Sequence, residues 1–454
     1  MTGRNAEDAR PVPGQVLEVP VHDLAYGGLG VGRYGDLVVM TPGTYPGDRA
    51  EVRVRRLHPT WIEADLVRLI DRATERAQPR CAHFGPCGGC QWMDLEYRSQ
   101  LAHKARQVRE CLARIGRIGG YSFHGIEPSP DQFGYRNKME FAVFGGGEAL
   151  DAGLRRARDP AGIVPIETCH LQSAEANAIL RETVLLAREQ GLEAGRLRRI
   201  VVRRGGDGAE YLVVLVTSPG PFPEGGTLAD RLRRRFPRIR GVVRMLGGEG
   251  PLVGSQLVLS GEETLTETIA GLELTLSGGA FVQVNPAQAD RLYGRVLELA
   301  AARAEESALD LYCGAGAITM LLARYAHGAL GVEWSRESVR CARASARRNG
   351  LTGCRFVAGD ARRIASGLVR EGRRFDIGTV NPPRTGLHKE IVGSVARLAP
   401  SRIVYVSCDP ATLARDLSRF AHLGYGTTDV ALYDMFPHTW HIETVVRLAP
   451  TGSS

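Results

Sequence analysis

No apolar run in the 454 residues approaches the roughly 18 that a membrane helix needs, and Met1 to Pro11 form no apolar leader core. The expectation is a cytoplasmic chain that stays out of the membrane. Lysine is nearly absent, confined to Lys104, Lys138 and Lys389, so the net charge of +8 rests on arginine. That excess admits a polyanionic partner without identifying one. A second C-x-x-C pair is missing, which excludes a zinc ribbon. Nine cysteines, an odd number, argue against a disulfide framework and for metal binding or catalysis. Also missing is the third glycine of a dinucleotide fingerprint. After Gly314 and Gly316 that position falls at Thr319.

At 454 residues the chain exceeds one core, and about two to four domains are expected. Residues 14–70 read as short β-rich segments separated by Gly27-Gly28-Leu29-Gly30, Pro42-Gly43 and Pro46-Gly47, which are turn chemistry. This predicts a barrel of about five strands, the size of OB-like nucleic-acid modules. Its Arg53, Arg55, Arg56 and His58 either track a phosphate backbone or form a solvated outer face.

Cys81, Cys87 and Cys90 fall close together, with Gly88 and Gly89 letting the backbone turn between them. Thiolates so placed repel one another unless a metal holds them. Of the candidate fourth ligands, Cys111 sits in a helical pattern near its apolar stripe, whereas Cys169 lies in the loop-like Glu167-Thr168-Cys169-His170 and is preferred. An all-cysteine site fits an iron–sulfur cluster or structural zinc. The run from Phe133 through Tyr135-Arg136-Asn137-Lys138 to Phe141 interleaves aromatics with cations. It suits stacked bases, or an ordinary amphipathic strand.

From about residue 305 the pattern is βαβ, with strands at 308–312, 329–333, 355–357, 375–380 and around Val404, predicting a largely parallel, doubly wound sheet. Gly314 and Gly316 open its first crevice, and Glu333 can accept both hydroxyls of a ribose. S-adenosylmethionine has no pyrophosphate to cradle, so it fits the incomplete glycine pattern better than a nicotinamide cofactor does. Asp360 either contacts the adenine or caps the helix that follows.

The stretch Ile403-Val404-Tyr405-Val406-Ser407-Cys408-Asp409-Pro410 is a buried strand running into a helix that Pro410 opens. Cys408 therefore sits where open α/β sheets place their ligands. The helix N-terminus favours its thiolate, and Asp409 opposes it. A small buried hydrophobe is the plainer reading.

Together these motifs resemble the RNA uracil-5-methyltransferase family over nearly the whole chain. The resemblance implies a TRAM-like β-barrel over 8–70, a mixed α+β central RNA-binding domain over 71–278, and a Rossmann-like methyltransferase domain over 279–450. It implies that Cys81, Cys87, Cys90 and Cys169 hold a [4Fe–4S] cluster of structural role. Gln283, in Phe281-Val282-Gln283-Val284-Asn285, matches the family's cofactor glutamine. Tyr312 and Glu333 match its S-adenosylmethionine contacts, Cys408 its nucleophile and Glu443 its base. Asn381, in Asn381-Pro382-Pro383-Arg384, departs from the aspartate usual at this cofactor-site position. Ala317 and Asp409 replace common asparagines. The expected partner is RNA, 23S ribosomal RNA before transfer RNA, and the expected state is a monomer.

The chemistry follows from carbon 5 of uracil being a poor nucleophile. A thiolate adding at carbon 6 moves electron density to carbon 5, which takes the methyl, and a base then removes the carbon 5 proton. The residues alone leave His438, His441 and Glu443 open as that base; the resemblance selects Glu443. Two other readings remain. One is an amino-methyltransferase built on Asn381-Pro382-Pro383-Arg384, and the other a non-catalytic RNA-binding iron–sulfur protein.

Overall fold

The computed structural model describes residues 10–248, 256–398 and 400–452; the first nine residues, on which most of the leader expectation rests, lie outside them. The chain packs as two units. One runs to Gln107 and takes in Phe436–His441; the other begins at Val108 and resumes at Ile442 after Met435.

In the first unit, strands β1 (Val16–Ala25), β2 (Leu29–Tyr34), β3 (Leu37–Pro42), β4 (Arg49–Leu57) and β5 (Trp61–Asp71) close into a barrel in the order β1-β2-β3-β5-β4. Each strand alternates outward and inward residues, and Leu17, Val19, Val39, Val52, Val54 and Ile62 fill the interior. Gly30 and Gly32 allow close strand crossings, since a Cβ on either would meet a neighbouring atom at about 2 Å. A second core of Leu24, Tyr45, Ala73, Trp92 and Leu95 joins the barrel to the cysteine-bearing segment. Tyr45 donates its hydroxyl to the Gln91 carbonyl at 3.1 Å, and half-buried Arg76 reaches the Asp48 carboxylate at 2.6 Å. Helix α1 (Tyr97–Cys111) follows.

The second unit contains two large sheets. Strand β6 (Ser122–Glu127) is set aside for the later one. β7 (Lys138–Phe144), β8 (Asp151–Arg156), β9 (Asp159–Pro165), β10 (Leu197–Gly205), β11 (Glu210–Thr217), β12 (Ile239–Leu246) and β13 (Gln256–Gly261) form the first, in the order β13-β12-β11-β10-β7-β8-β9. β11 is central and buried from Tyr211 to Thr217, as its unbroken apolar run requires. Helices α2 (Ala174–Glu189) and α3 (Glu224–Arg235) pack on this sheet, with Ser173 capping α2. β7 resolves the aromatic–cation run as an amphipathic strand and its lead-in. Tyr135, Met139 and Phe141 are buried, and so is Asn137, which donates to Glu267 at 3.2 Å.

The hairpin β14 (Leu265–Ile269) and β15 (Leu272–Leu276) leads to helix α4 (Pro286–Ala300), capped by Asn285. Then come β16 (Ser307–Leu311), α5 (Ala317–Ala323), β17 (Gly328–Glu333), α6 (Arg336–Arg348), β18 (Cys354–Ala358), α7 (Ala361–Arg370), β19 (Ile377–Val380), α8 (Lys389–Arg397), β20 (Arg402–Ser407), α9 (Pro410–Ala421), β21 (Tyr425–Tyr433) and β22 (Glu443–Pro450). Their sheet has the order β18-β17-β16-β19-β20-β22-β21-β6. The first five strands are parallel and β22 runs against β20 and β21, while β6 joins the far edge parallel to β21. The expected doubly wound core is present, extended by three strands that sequence patterning did not predict. Among the described residues no helix is long and apolar enough to cross a membrane.

Candidate active site

The strand order reverses between β16 and β19, and the crevice opens there, past the carboxyl ends of the strands. Tyr312 leaves β16 with φ +65°, followed by Gly314 at +55° and Gly316 at +85°. A tyrosine held left-handed is strained backbone of the kind found at ligand clamps. The amides of Tyr312 and Cys313 both donate to the Val332 carbonyl, at 2.9 and 3.1 Å. Glu333 completes the turn from the next strand: its Oε2 accepts from Gly314 N–H at 3.1 Å and its Oε1 from Ser335 N–H at 2.9 Å. Each oxygen keeps a lone pair for a ligand hydroxyl.

A small pocket, open to solvent, lies at this turn, lined in part by Phe281, Tyr293, Tyr312, Cys313, Ala317 and Asn381. Tyr312 and Asn381 line it, and Glu333 braces its loop. Gln283 is buried next door, with its carbonyl accepting from Asn137 Nδ2 at 3.4 Å. Asp360 caps α7, accepting from Arg363 N–H at 2.9 Å, and its charge reaches Tyr312. Burial, with Asp360, Asp416 and Glu333 nearby, pushes the Tyr312 phenol up to about 12.

The missing third glycine has a structural explanation. Thr319 stands in its place and donates its hydroxyl to buried Asp310 at 2.6 Å, while Thr379 donates to the other oxygen at 2.8 Å. The close helix–strand approach is supplied from the strand side by Gly331, where a Cβ would lie 2.7 Å from Thr319 Oγ1 and 2.9 Å from Cys313 Sγ. Burial holds the Asp310 carboxyl up at about 6.

Cys408 follows β20 directly and precedes α9, whose N-cap is Asp409, accepting from Thr412 N–H at 2.8 Å. Antiparallel pairing of Ser407 with Thr444 sets Cys408, one residue on, level with Glu443, one residue back. Glu443 is 4% exposed, and among the described residues its Oε2 has no hydrogen-bond partner. Burial therefore pushes its carboxyl up to about 8, against the pull of the Arg384 guanidinium. Burial also pushes the Cys408 thiol up to about 12, with Glu443 and Asp409 adding to the rise and Arg384 opposing it. One loop arginine therefore acts on both groups. It lies inside the Asn381-Pro382-Pro383-Arg384 motif, but only the three-dimensional arrangement reveals that relation.

In the other unit, Cys87 is buried, which pushes its thiol pKa up, with nearby Cys81 adding to the rise, and its Sγ accepts from Gly89 N–H at 3.4 Å. Among the described residues, however, no three His, Cys, Asp or Glu side chains gather as a metal ion requires. The expected convergence of Cys81, Cys87 and Cys90 is therefore not seen, although three thiols and an amide aimed at sulfur are a suitable donor set. Cys169 is buried in the second unit, and its amide donates to Asn177 Oδ1 at 2.8 Å.

Residues 262–450 match the family model described as tRNA (Uracil-5-)-methyltransferase, and residues 12–67 match the TRAM domain. An RNA methyltransferase of Nitratidesulfovibrio vulgaris is 37% identical over 96% of this chain and 96% of its own length. The chain belongs to the RNA uracil-5-methyltransferase family. Another RNA methyltransferase, from Halalkalibacterium halodurans, is 34% identical over 95% of this chain and 96% of its own. Among solved structures, the tRNA (uracil-54, C5)-methyltransferase of Pyrococcus abyssi, in complex with S-adenosyl-L-homocysteine, superposes with a TM-score of 0.75 at 25% identity, covering 95% of this chain and 99% of that one. This family member is thus an RNA methyltransferase with a TRAM barrel.

Proposed function

We propose that the protein methylates carbon 5 of a uridine in RNA through a temporary bond between Cys408 and carbon 6. The observation that carries this reading is the β20–β22 register, which sets a thiol level with a buried carboxyl at the mouth of the crevice. Tyr312, Glu333, Gln283, Asn381 and Asp360 would hold S-adenosylmethionine, which supplies an electrophilic methyl when bound. Cys408 gives its proton to solvent and the thiolate adds to carbon 6; the ring electron pair passes to carbon 5, which takes the methyl and leaves S-adenosylhomocysteine behind. Glu443, in its ionised form, then takes the carbon 5 proton, the ring double bond re-forms, and the Cys408 sulfur leaves. Arg384 eases ionisation of both groups. The target base must be unstacked to reach Cys408.

RNA carrying 5-fluorouridine tests this, because fluorine cannot leave as a proton. A stable protein–RNA adduct is expected, absent in Cys408→Ala. An adduct that persists in that variant, or a methyl found on an exocyclic nitrogen, defeats the reading and favours the amino-methyltransferase alternative.

The barrel and cysteine segment favour 23S ribosomal RNA as substrate. Transfer RNA is the second reading, favoured by the substrate in the name of the Pyrococcus enzyme. Mass spectrometry of nucleosides from each RNA of a deletion strain separates them. Cys81, Cys87, Cys90 and Cys169 are proposed as ligands of a structural [4Fe–4S] cluster. About four irons and four sulfides per chain after anaerobic purification would support it, and their absence would remove it. The enzyme is proposed to act as a cytoplasmic monomer.

A further inference from the structure

The carboxylate of Asp416, on α9, is fully buried and accepts four hydrogen bonds. Oδ2 accepts from Leu387 N–H at 2.7 Å and from the Tyr405 hydroxyl at 2.9 Å; Oδ1 accepts from Arg415 Nε and Arg419 Nη1, both at 3.0 Å. The two guanidiniums continue into the loop after Asn381. Arg415 donates to the Thr385 carbonyl at 2.9 Å, and Arg419 to that of Leu387 at 3.2 Å. One turn earlier, Thr412 donates its hydroxyl to the Arg384 carbonyl at 3.0 Å. The loop presses so closely on α9 that a Cβ on Gly386, itself at φ +69°, would lie 2.5 Å from Asp416 Oδ2.

Three pieces of the site therefore meet at one carboxylate: β20, which delivers Cys408; α9, which leaves it; and the loop that carries Asn381 and Arg384. A helix packed on a sheet needs none of this. An apolar residue at such a buried position is often as stabilising as a charged network, or more so. The network's distinctive effect is to fix the backbone of Arg384, Thr385 and Leu387.

We propose that Asp416 is a positioning residue that, through Arg415, Arg419 and the backbone of residues 384–387, holds the Arg384 guanidinium where it acts on Cys408 and Glu443. The inference rests on reading those two as nucleophile and base. The groups facing Cys408 are Glu443 from β22, Arg384 from the loop and Asp409 from the start of α9. Asp416 is faced by Arg415, Arg419 and Tyr405, and its charge also reaches Tyr312.

The test is the rate of iodoacetamide alkylation at Cys408 in the full chain without RNA, at about pH 9, read from the Cys408 peptide by mass spectrometry. Asp416→Asn keeps the side chain's shape but loses acceptor capacity, and Gly386→Ala forces the loop off an intact carboxylate. Each is expected to slow alkylation about tenfold, since thiolate fraction falls tenfold per unit rise in pKa. Arg384→Gln should slow it equally, and adding Asp416→Asn to Arg384→Gln should change nothing more. Should Asp416→Asn not fold, Thr412→Val removes the hydroxyl bond to the Arg384 carbonyl, with the longer one to the Asp409 carbonyl, and should slow the reaction about threefold by the same relation. An unchanged or faster rate in these variants, or additive effects with Arg384→Gln, overturns the proposal. Because no RNA or methyl transfer enters this measurement, a failure of the 5-fluorouridine experiment would be seen separately.

Discussion

Glu443 stands level with Cys408 across the β20–β22 pair and makes its thiolate harder to form. The base that completes the proposed reaction is thus also a brake on its first step. A carboxyl held up at about 8 is mostly protonated at neutral pH, which relaxes that brake.

Glu443→Gln should therefore separate the two effects. Above about pH 8, where the wild-type carboxyl is charged, the variant's Cys408 should alkylate faster by a factor of about two to ten. With ordinary uridine RNA and S-adenosylmethionine, the same variant should accumulate a covalent protein–RNA species, because the carbon 5 proton stays in place. A gel shift that survives denaturant reads this directly. A variant that alkylates more slowly and traps no RNA would contradict the assignment.

The same carboxyl sets a pH dependence of stability. Its folded pKa lies near 8 against an ordinary 4.5, so between these values the folded protein holds a proton that the unfolded chain has released. Stability contributed by the neutral carboxyl is present below that window and falls as pH rises through it, by a few kcal/mol at most. Glu443→Gln has no proton to lose. Its melting temperature relative to wild type should climb steadily from about pH 5 to about pH 9.

Glu333→Gln replaces an oxygen that accepts a backbone N–H with an amide that cannot. One of the bonds to Gly314 or Ser335 is lost, and the turn that places Tyr312 loosens. Titration calorimetry with S-adenosylhomocysteine should show affinity reduced about tenfold or more, equivalent to roughly 1.4 kcal/mol. An unaltered affinity would show that the carboxylate neither braces the loop nor meets the ligand.

Gly331→Ala probes the close approach that compensates for Thr319. The added methyl meets Phe356 and Thr319 at 2.7 Å, so a loss of about 1–3 kcal/mol in chemical denaturation is expected. Full stability would mean that the helix and strand can part without cost.

Much of this was legible in the chain. Turn residues and alternation foretold a five-stranded barrel, and βαβ patterning foretold the parallel core. Cys408 and Glu333 could be placed at strand ends because those positions follow from period and boundary alone. Glu443 could not be placed this way: only the β20–β22 register sets it level with Cys408. Arg384 and Asp416 escaped for a related reason. Their roles depend on a loop folding back on a helix, and no spacing encodes that. Tyr312 could be placed at the end of its strand, but not its left-handed backbone, which Val332 and Glu333 hold from the neighbouring strand.

Strand β6 comes early in the chain, yet it finishes the edge of the sheet that carries Cys408 and Glu443. Anyone trimming the gene to its catalytic half should keep residues 122–127. Without them β21 would present a bare row of amides and carbonyls, ready to recruit a stranger's strand and bring the fragment out of solution.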